Sequence, residues 1–347
     1  MSAPAPTRTS VSDACLPGTW DAYVERHPAA TLYHRSAFRD VFSRAFGHRS
    51  HYLSAERQGR LVGVLPIVEF KSRLFGRFGV SLPFVNYGGL LVDDELAAEA
   101  LIEAAVALGR AERWQHVELR HTARHCPQWP AKSHKVIMQR ALDESVDTLW
   151  AGLDRKVRNL VRKSEKSGCA VEVGGPERRG EFYRVFAENM RDLGTPVYTP
   201  RFFDEVMSAV PSSRIFTVRN SSGEVIAASL VLFWRDRVEV PWASSLRRSA
   251  AQAPNMLLYW GMLKWAVEAG LKSFDFGRST RGEGTYHFKK QWGATESPTV
   301  WEYAGLQGDI PNQGPSNPKF SAAIAAWKQM PLWLANALGP RLVRNIP

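Results

Sequence analysis

Hydrophobic and polar positions repeat one order of elements twice along the chain. In the front half, His51 to Phe70 alternates around a Gln-Gly turn and predicts a hairpin. A third strand in FVNYGGLLV, a helix near Glu95 to Arg113 and the strand HVELRH follow. In the back half, Arg214 to Trp234 predicts a hairpin around a Ser-Gly turn. The strand VEVPWASS, a helix from about Asn255 to Ala269 and the strand SFDFGR follow. Two copies of one α/β unit account for this order.

Helix-terminus chemistry and apolar stripes support the two helices. Asn255, after Pro254, is expected to cap the back-half helix, and Gly270 is expected to end it in a left-handed conformation. The front-half helix is expected to pack on its sheet through one stripe, made of Leu96, Ala100, Leu101, Ala104, Ala105 and Leu108.

A basic amphipathic helix is predicted between the copies, over Asp147 to Gly168. Its apolar face is expected to hold Leu149, Leu153, Val157, Leu160 and Val161. Its cations fall mostly on the other side: Arg155, Lys156, Arg158, Arg162, Lys163 and Lys166. Such a face is either simply solvated or a rail for a phosphate backbone, with Arg158, Arg162 and Lys163 as the candidate contacts.

Composition narrows the classes of protein. A length of 347 residues predicts about two domains, and 44% hydrophobic residues are ample for packed cores. A net charge of +11 favours an anionic partner, such as nucleic acid, a phosphorylated carrier or an anionic membrane. The three cysteines lack metal-ligand spacing, and no apolar run suggests a signal peptide or a membrane span. We expect a cytoplasmic protein without a metal, either free or peripheral to the inner membrane.

The segment from Ser273 to Ala294 has the strongest site character. An apolar strand opens there into a loop in which Arg278, Arg281, Lys289 and Lys290 alternate with aromatic residues, among them Tyr286 and Trp292. This pattern fits an anionic ligand with a flat or apolar part, although a solvated hairpin would look similar.

Asp275 lies between Phe274 and Phe276, so on a strand its side chain points away from both. It is a candidate base or anchor for a substrate amine; the alternative is that it pairs with Arg278 or another internal cation. His287 is a second candidate proton acceptor.

Four further residues are candidates for the walls of the site. Tyr198, in the loop LGTPVYTP, is a candidate for the acceptor pocket, and Trp242 for a platform that stacks a sugar or base. Asn86 and Tyr87 precede two glycines and are candidates for a wall of the first unit. For each, plain packing or turn formation is the alternative.

The repeated unit resembles the N-acetyltransferase (GNAT) fold, and two units in tandem resemble the FemAB-like aminoacyltransferases of bacterial cell-wall synthesis. From about Tyr33 to the tail, segments such as LPFVNYGGLLV, LDRKVRNLVRKSEKSG and FDFGRSTRGEGTYHFKKQWGA are similar to FemAB proteins that accompany exosortase and PEP-CTERM exopolysaccharide systems. The resemblance implies two tandem GNAT-like units of α/β (α+β) class, each a mixed sheet flanked by helices.

The implied activity is acyl or aminoacyl transfer to an amine or hydroxyl of a cell-envelope or exopolysaccharide precursor. The implied donor is aminoacyl-tRNA or acyl-CoA, and the acceptor is a glycan precursor, lipid-linked in one interpretation. In this activity Asp275 would be the base or anchor, and Arg278, Lys289 and Lys290 would hold phosphate or neutralise an oxyanion. Asn255 would join the substrate-binding residues.

The sequence departs from two patterns of such enzymes. It has no long charged helical pair in the second unit, and no Arg/Gln-x-x-Gly-x-Gly/Ala loop for a pyrophosphate. An ordinary acyl-CoA N-acyltransferase and a non-catalytic protein that binds lipid-linked glycan or nucleic acid therefore stay as alternatives.

Four segments are predicted: a disordered terminus (1–18), a first unit (19–145), a second unit with the basic helix (146–310) and a tail (311–347). The tail carries Trp327, Trp333, Leu338 and Leu342 among few charges. It is expected to return to the first unit or to lie on the membrane surface.

Overall fold

The computed structural model describes residues 9–72, 75–307 and 321–346, and the chain divides into two compact units. The first holds the described residues of Met1–Ser133, Thr299–Gln313 and Asn345–Pro347, and the second those of His134–Pro298 and Gly314–Arg344. Each unit is a mixed sheet flanked by helices, as predicted. The boundary, however, lies after Ser133 rather than at residue 145, and one late strand belongs to the first unit.

The elements of the first unit follow in chain order. Its strands are β1 (Ser10–Ser12), β2 (Arg49–Arg57), β3 (Arg60–Ser72), β4 (Gly76–Val80), β5 (Leu91–Val92), β6 (His116–His121), β7 (Ala131–Lys132) and the late strand β15 (Val300–Gly305). Its helices are α1 (Pro17–Arg26), α2 (Phe38–Phe46) and α3 (Glu95–Ala111). The sheet order is β1-β2-β3-β4-β6-β15-β7, with β5 on β3, and the β4–β6 pair is parallel.

Two predictions for the first unit are wrong in detail. The third strand of the unit is β4, whereas FVNYGGLLV is a buried loop that contributes only the short β5. In α3, Leu96 is 61% exposed, because the helix is turned so that Ala97, Leu101 and Ala105 face the core. The terminus is also ordered from β1 onwards, since β1 pairs with β2; residues 1–8 lie outside the described part.

The second unit contains the remaining elements. Its strands are β8 (Lys135–Ala141), β9 (Ala170–Gly174), β10 (Arg214–Arg219), β11 (Val225–Trp234), β12 (Arg237–Ser245), β13 (Ser273–Thr280) and β14 (Thr295–Pro298). Its helices are α4 (Val146–Gly152), α5 (Arg155–Lys166), α6 (Arg179–Leu193), α7 (Pro200–Ala209), α8 (Pro254–Glu268), α9 (Gly284–Lys290), α10 (Ser321–Lys328) and α11 (Leu332–Val343). The sheet order is β14-β8-β13-β12-β11-β10-β9, and the β12–β13 pair is parallel.

Strand register places α7 and α8 on opposite faces of this sheet. Phe216 of β10 packs on α8 and pairs with Ser229 of β11. Trp242 of β12 packs on α7 and pairs with Leu230. Because Ser229 and Leu230 are neighbours on one strand, they point to opposite faces. The two helices therefore cover the sheet from both sides.

The helices of the second unit correct two further predictions. The basic helix is divided into α4 and α5, because Leu153 is extended and the Asp154 side chain caps α5 by accepting from the Lys156 N–H. The α8 helix begins at Pro254 after Ala253, so Asn255 lies inside its first turn and is not its cap. Gly270 follows the end of α8 with φ of 73°, the left-handed conformation that was predicted.

The tail helices pack on the second unit. Both α10 and α11 contact α6, and the Arg191 side chain of α6 donates to the Met330 carbonyl at 3.0 Å. The expected return of the tail to the first unit is therefore wrong for α10 and α11, whereas Asn345 and Ile346 are grouped with the first unit. Residues 308–320 lie outside the described part.

Candidate active site

Two parallel strands of the second unit separate at one position. The pairing of β12 with β13 runs from Arg237↔Ser273 to Glu239↔Asp275. Beyond it, β12 continues to Ser245 on β11, and β13 continues to Thr280 on β8. A wedge therefore opens between the two strands. Its strand edges carry backbone donors and acceptors that an extended ligand can pair with.

Asp275 marks the narrow end of this wedge and is 0% exposed. Its Oδ2 accepts a hydrogen bond from Gln139 Nε2 at 2.8 Å, and its Oδ1 accepts from the Gly277 N–H at 2.7 Å. The β13–β8 register shifts between Asp275 and Arg278, and Gly277 has φ of 74°. The carboxylate thus fixes a bulge that needs glycine. Because both oxygens accept hydrogen bonds, the geometry suits a positioning role, and a base role for Asp275 stays a prediction.

Lys289 of α9 binds the same bulge from the other side. Its ammonium donates to the carbonyls of Gly277 at 3.0 Å and Arg278 at 2.9 Å, and the side chain is 8% exposed. Burial lowers the pKa of Lys289 to about 8; Asp275 opposes this shift and Arg278 adds to it. A lysine that the sequence placed in an open loop is therefore a buried cation whose charge changes near neutral pH.

The other candidates of the same segment lie further out. Lys290 and His287 are exposed, and Arg281 forms an ion pair with Glu296 at 3.1 Å. Tyr286 is half-buried, with the Lys290 ammonium 5.7 Å from the centre of its ring. The segment is not one cationic loop, because β13 and α9 divide its cations between the bulge and the surface.

Three polar residues near the bulge escaped the sequence analysis. The Gln139 side chain donates a hydrogen bond to Asp275. On the same strand, burial lowers the pKa of Lys135, and the positive charge of the nearby Arg278 lowers it further. Glu239 is buried directly across from Asp275. No local signal marks Gln139 or Lys135, because β8 precedes β13 by a long stretch of chain and only strand pairing brings them together.

Two aromatic candidates belong to the packed core. Trp242 packs edge-on against Phe202 and Phe203, with ring centres 5.4 Å apart in both pairs. Trp292 is fully buried and lies 6.2 Å from Tyr259. Neither ring offers a free face for stacking, so we do not place them in the site.

Tyr198 and Asn255 are half-buried in other parts of the second unit. Tyr198 joins the aromatic cluster of α6 and α7 through Phe186 and Phe202. Asn255 lies in the first turn of α8, where the chain leaves β12. Their substrate-binding roles stay predictions.

The first unit has a corresponding wedge, but its own chain fills it. The parallel β4–β6 pairing ends at Val80↔Glu118. The following loop bonds to β6: the Arg120 N–H donates to Ser81 Oγ at 2.7 Å, and the Gly88 N–H donates to the Arg120 carbonyl at 3.3 Å.

Asn86 and Tyr87 are buried within this loop, so they belong to the segment that occupies the first wedge. The acid and arginine of β6 pair with each other, with Arg120 Nε 2.6 Å from Glu118 Oε1. In the first unit, the loop after β4 therefore occupies the place at which the two strands separate.

The exposed side of α5 forms a cationic surface. None of its cations has an ion pair within the described ranges; they are Arg155, Lys156, Arg158, Arg162, Lys163 and Lys166. A cavity of about 370 Å³ is lined by Asn159, Arg162, Lys163, Lys166 and Ser167. The Arg162 guanidinium lies 5.3 Å from the ring centre of the half-buried Trp150. The arrangement suits an anionic partner with flat groups.

One family model matches part of the chain. Residues 152–290 match the family of acetyltransferase (GNAT) domains. No curated protein matches the sequence. The second unit therefore contains a domain that matches the GNAT acetyltransferase family.

Several solved structures share the fold. FemX is similar with a TM-score of 0.65 and 16% identity, over 86% of this chain and 98% of that one. L-PGS from Bacillus licheniformis has a TM-score of 0.57 and 13% identity, over 91% and 98%. A tandem GNAT protein from the clavulanic acid biosynthesis pathway has a TM-score of 0.55 and 12% identity, over 88% and 100%. At such identities the likeness establishes the fold alone.

Proposed function

We propose that the chain transfers an acyl or aminoacyl group to an amine or hydroxyl at the wedge of the second unit. The observation that carries this proposal is the bulge at the narrow end of the wedge, held by Asp275 and by the buried ammonium of Lys289. An acyl-transfer site needs oriented reactants and a donor for a developing oxyanion. We assign the first role to the strand edges of the wedge and the second to Lys289.

The chemistry needs no protein nucleophile. The acceptor amine attacks the carbonyl carbon of the donor and forms the new C–N bond. The C–O or C–S bond to the carrier breaks, and the leaving tRNA hydroxyl or CoA thiol takes up the proton that the amine loses. Lys289 uses two of its three N–H donors on backbone carbonyls. The third donor and Arg278 are the groups that we assign to the oxyanion or a phosphate.

We further propose an acceptor from the cell envelope or from exopolysaccharide synthesis. Support comes from the sequence resemblance to FemAB proteins of exosortase and PEP-CTERM systems, and from the FemX likeness. A second similar structure is described as a putative lysylphosphatidylglycerol synthetase from Agrobacterium fabrum, whose name denotes the joining of an amino acid to a lipid.

Two observations favour aminoacyl-tRNA over acyl-CoA as the donor. The turn before α8 lacks glycine, and its Arg248 is bound to Glu188 and Glu224, so no backbone cradle for a pyrophosphate is formed there. The α5 surface, in contrast, offers a row of cations beside an aromatic ring. Acyl-CoA transfer is the second candidate, supported by the family match of residues 152–290.

A thermal-shift screen tests the proposal. The purified chain is heated with acyl-CoA thioesters, aminoacyl-tRNA and phosphorylated glycan precursors, since a ligand that binds only the folded state raises Tm. We expect aminoacyl-tRNA and one glycan precursor to raise Tm, and both effects to shrink in Arg278→Gln. A Tm that none of the compounds raises would contradict a transferase, and a rise with the glycan precursor alone would indicate a binding protein.

A further inference from the structure

The last helix of the chain is seated on the second unit by one face. Ala335, Gly339 and Val343 are buried along α11. A Cβ added to Gly339 would lie 2.9 Å from the backbone nitrogen of Val197, so glycine permits this close approach. The packing therefore determines which side chains of α11 are buried and which ones form its outer face.

The outer face presents an exposed aromatic ring and cations. Trp333 is 71% exposed, and Ala337, Arg341 and Arg344 continue the same face at helical spacing. Leu342 is 46% exposed, but it follows Trp333 by nine residues and so lies half a turn away, outside this face. Single exposed apolar side chains are common on protein surfaces, and Leu96 and Leu193 are others in this chain. The α11 face differs from these because its exposed ring lies beside cations on one side of a helix.

The charged residues of the tail indicate which kind of partner fits the outer face of α11. Residues 321–346 contain Lys328, Arg341 and Arg344 and neither aspartate nor glutamate. Tryptophan and leucine favour the boundary between lipid headgroups and acyl chains, and nearby lysine and arginine add attraction to anionic headgroups. The exposed ring and the cations together therefore fit an anionic membrane surface. No helix in the described ranges is long and apolar enough to cross a bilayer.

We propose that the outer face of α11, with Lys328 of α10, docks the protein on an anionic lipid bilayer. Trp333 enters the interface, and Lys328, Arg341 and Arg344 contact the headgroups. The α5 surface is not an equivalent site, because its exposed side chains are polar and its apolar side chains Val157 and Val161 are buried.

Co-sedimentation with vesicles tests the docking. The full chain is mixed at low salt with vesicles of phosphatidylglycerol and phosphatidylcholine in equal parts, and with vesicles of phosphatidylcholine alone. We expect binding to the mixed vesicles and much weaker binding to the neutral ones. In Trp333→Ala, which loses an exposed ring and keeps the fold, the partition coefficient falls about tenfold. In Lys328→Gln/Arg344→Gln it falls about fivefold for each charge.

Two matched variants serve as controls. Leu96→Ala removes another exposed apolar side chain, from the first unit, and Arg162→Gln/Lys163→Gln removes two cations from α5. Circular dichroism confirms the fold of every variant. The docking is overturned if wild type stays in the supernatant, or if the α5 variant loses binding while both tail variants sediment like wild type. This outcome is separate from the proposed function, because vesicle binding needs no acyl donor and transfer to a soluble acceptor needs no vesicle.

Discussion

Asp275 and Lys289 bind opposite polar groups of one peptide segment: Asp275 accepts from the Gly277 N–H, and Lys289 donates to the Gly277 carbonyl. The two charges hold the bulge at which β12 and β13 separate. Burial lowers the pKa of Lys289 to about 8, so the clamp contains a group that titrates near physiological pH.

The pH dependence of transfer follows from this clamp. If the ammonium of Lys289 stabilises the oxyanion, kcat falls as the pH rises through about 8, because the neutral amine no longer carries the charge. The kcat–pH profile measures this. A rate that rises through the same range would instead indicate Lys289 as a base.

In Asp275→Asn, the fall of kcat at alkaline pH is expected to occur at a lower pH than in wild type. The carboxylate raises the pKa of Lys289, so its removal leaves burial and Arg278 to lower the pKa further. The exposed Asp236→Asn, in the turn before β12, is the control and leaves the profile unchanged. A loss of about 100-fold at every pH, with no shift in the pH at which kcat falls, would instead support proton transfer by Asp275.

Sequence patterns predicted much of the fold, for reasons that are local. Alternation and turn residues indicated the β2–β3 and β10–β11 hairpins, and the apolar run before Gly270 indicated α8 to within a residue. The loop before β5 was mistaken for a strand because it is buried throughout. Leu82 and Phe84 are left-handed there, with φ of 49° and 68°, and neither residue type predicts that conformation.

The site was predictable only in part. Composition pointed to Asp275, Arg278 and Lys289 because they lie close together in the chain. Gln139 and Lys135 reach the bulge through the pairing of β8 with β13, and such pairing between distant strands is set by the whole sheet rather than by local pattern.

The cationic surface of α5 predicts a salt-dependent interaction. If Arg158, Arg162 and Lys163 contact phosphates, the affinity for tRNA falls steeply with salt, and neutralising any one lowers the slope of log K against log salt by about one unit. Filter binding over a salt series measures the slope. Equal slopes for wild type and all three glutamine variants would leave α5 as a solvated surface, and Lys264→Gln, on α8, is the charge-matched control.

Acid is expected to destabilise the first unit through two buried histidines. Burial lowers the pKa of His34 to about 4 and that of His121 to about 3, below the unfolded value of 6.5. Their Nδ1 atoms accept backbone N–H bonds from Thr31 and Leu90, which a proton there would break.

Because the folded pKa values are depressed, the unfolded state binds protons first as the pH falls. Their contribution is complete above about pH 6.5 and is lost as the pH falls to about 4 for His34 and to about 3 for His121, by up to about 1.4 kcal/mol per pH unit for each histidine. Urea unfolding across this range measures it. The exposed His287→Asn is expected to keep the wild-type slope, whereas a stability independent of pH in wild type would contradict the assignment.

Label transfer to an amine-bearing glycan precursor tests the central claim, a transfer site at the wedge of the second unit. Wild type, Lys289→Met and the neighbouring Lys290→Met are supplied in turn with labelled aminoacyl-tRNA and labelled acyl-CoA, after thermal unfolding has shown all three to be folded. We expect transfer by wild type and Lys290→Met, and a loss of about 100-fold or more in Lys289→Met. Transfer by folded Lys289→Met at the wild-type rate, or none from either donor by wild type, would contradict the account.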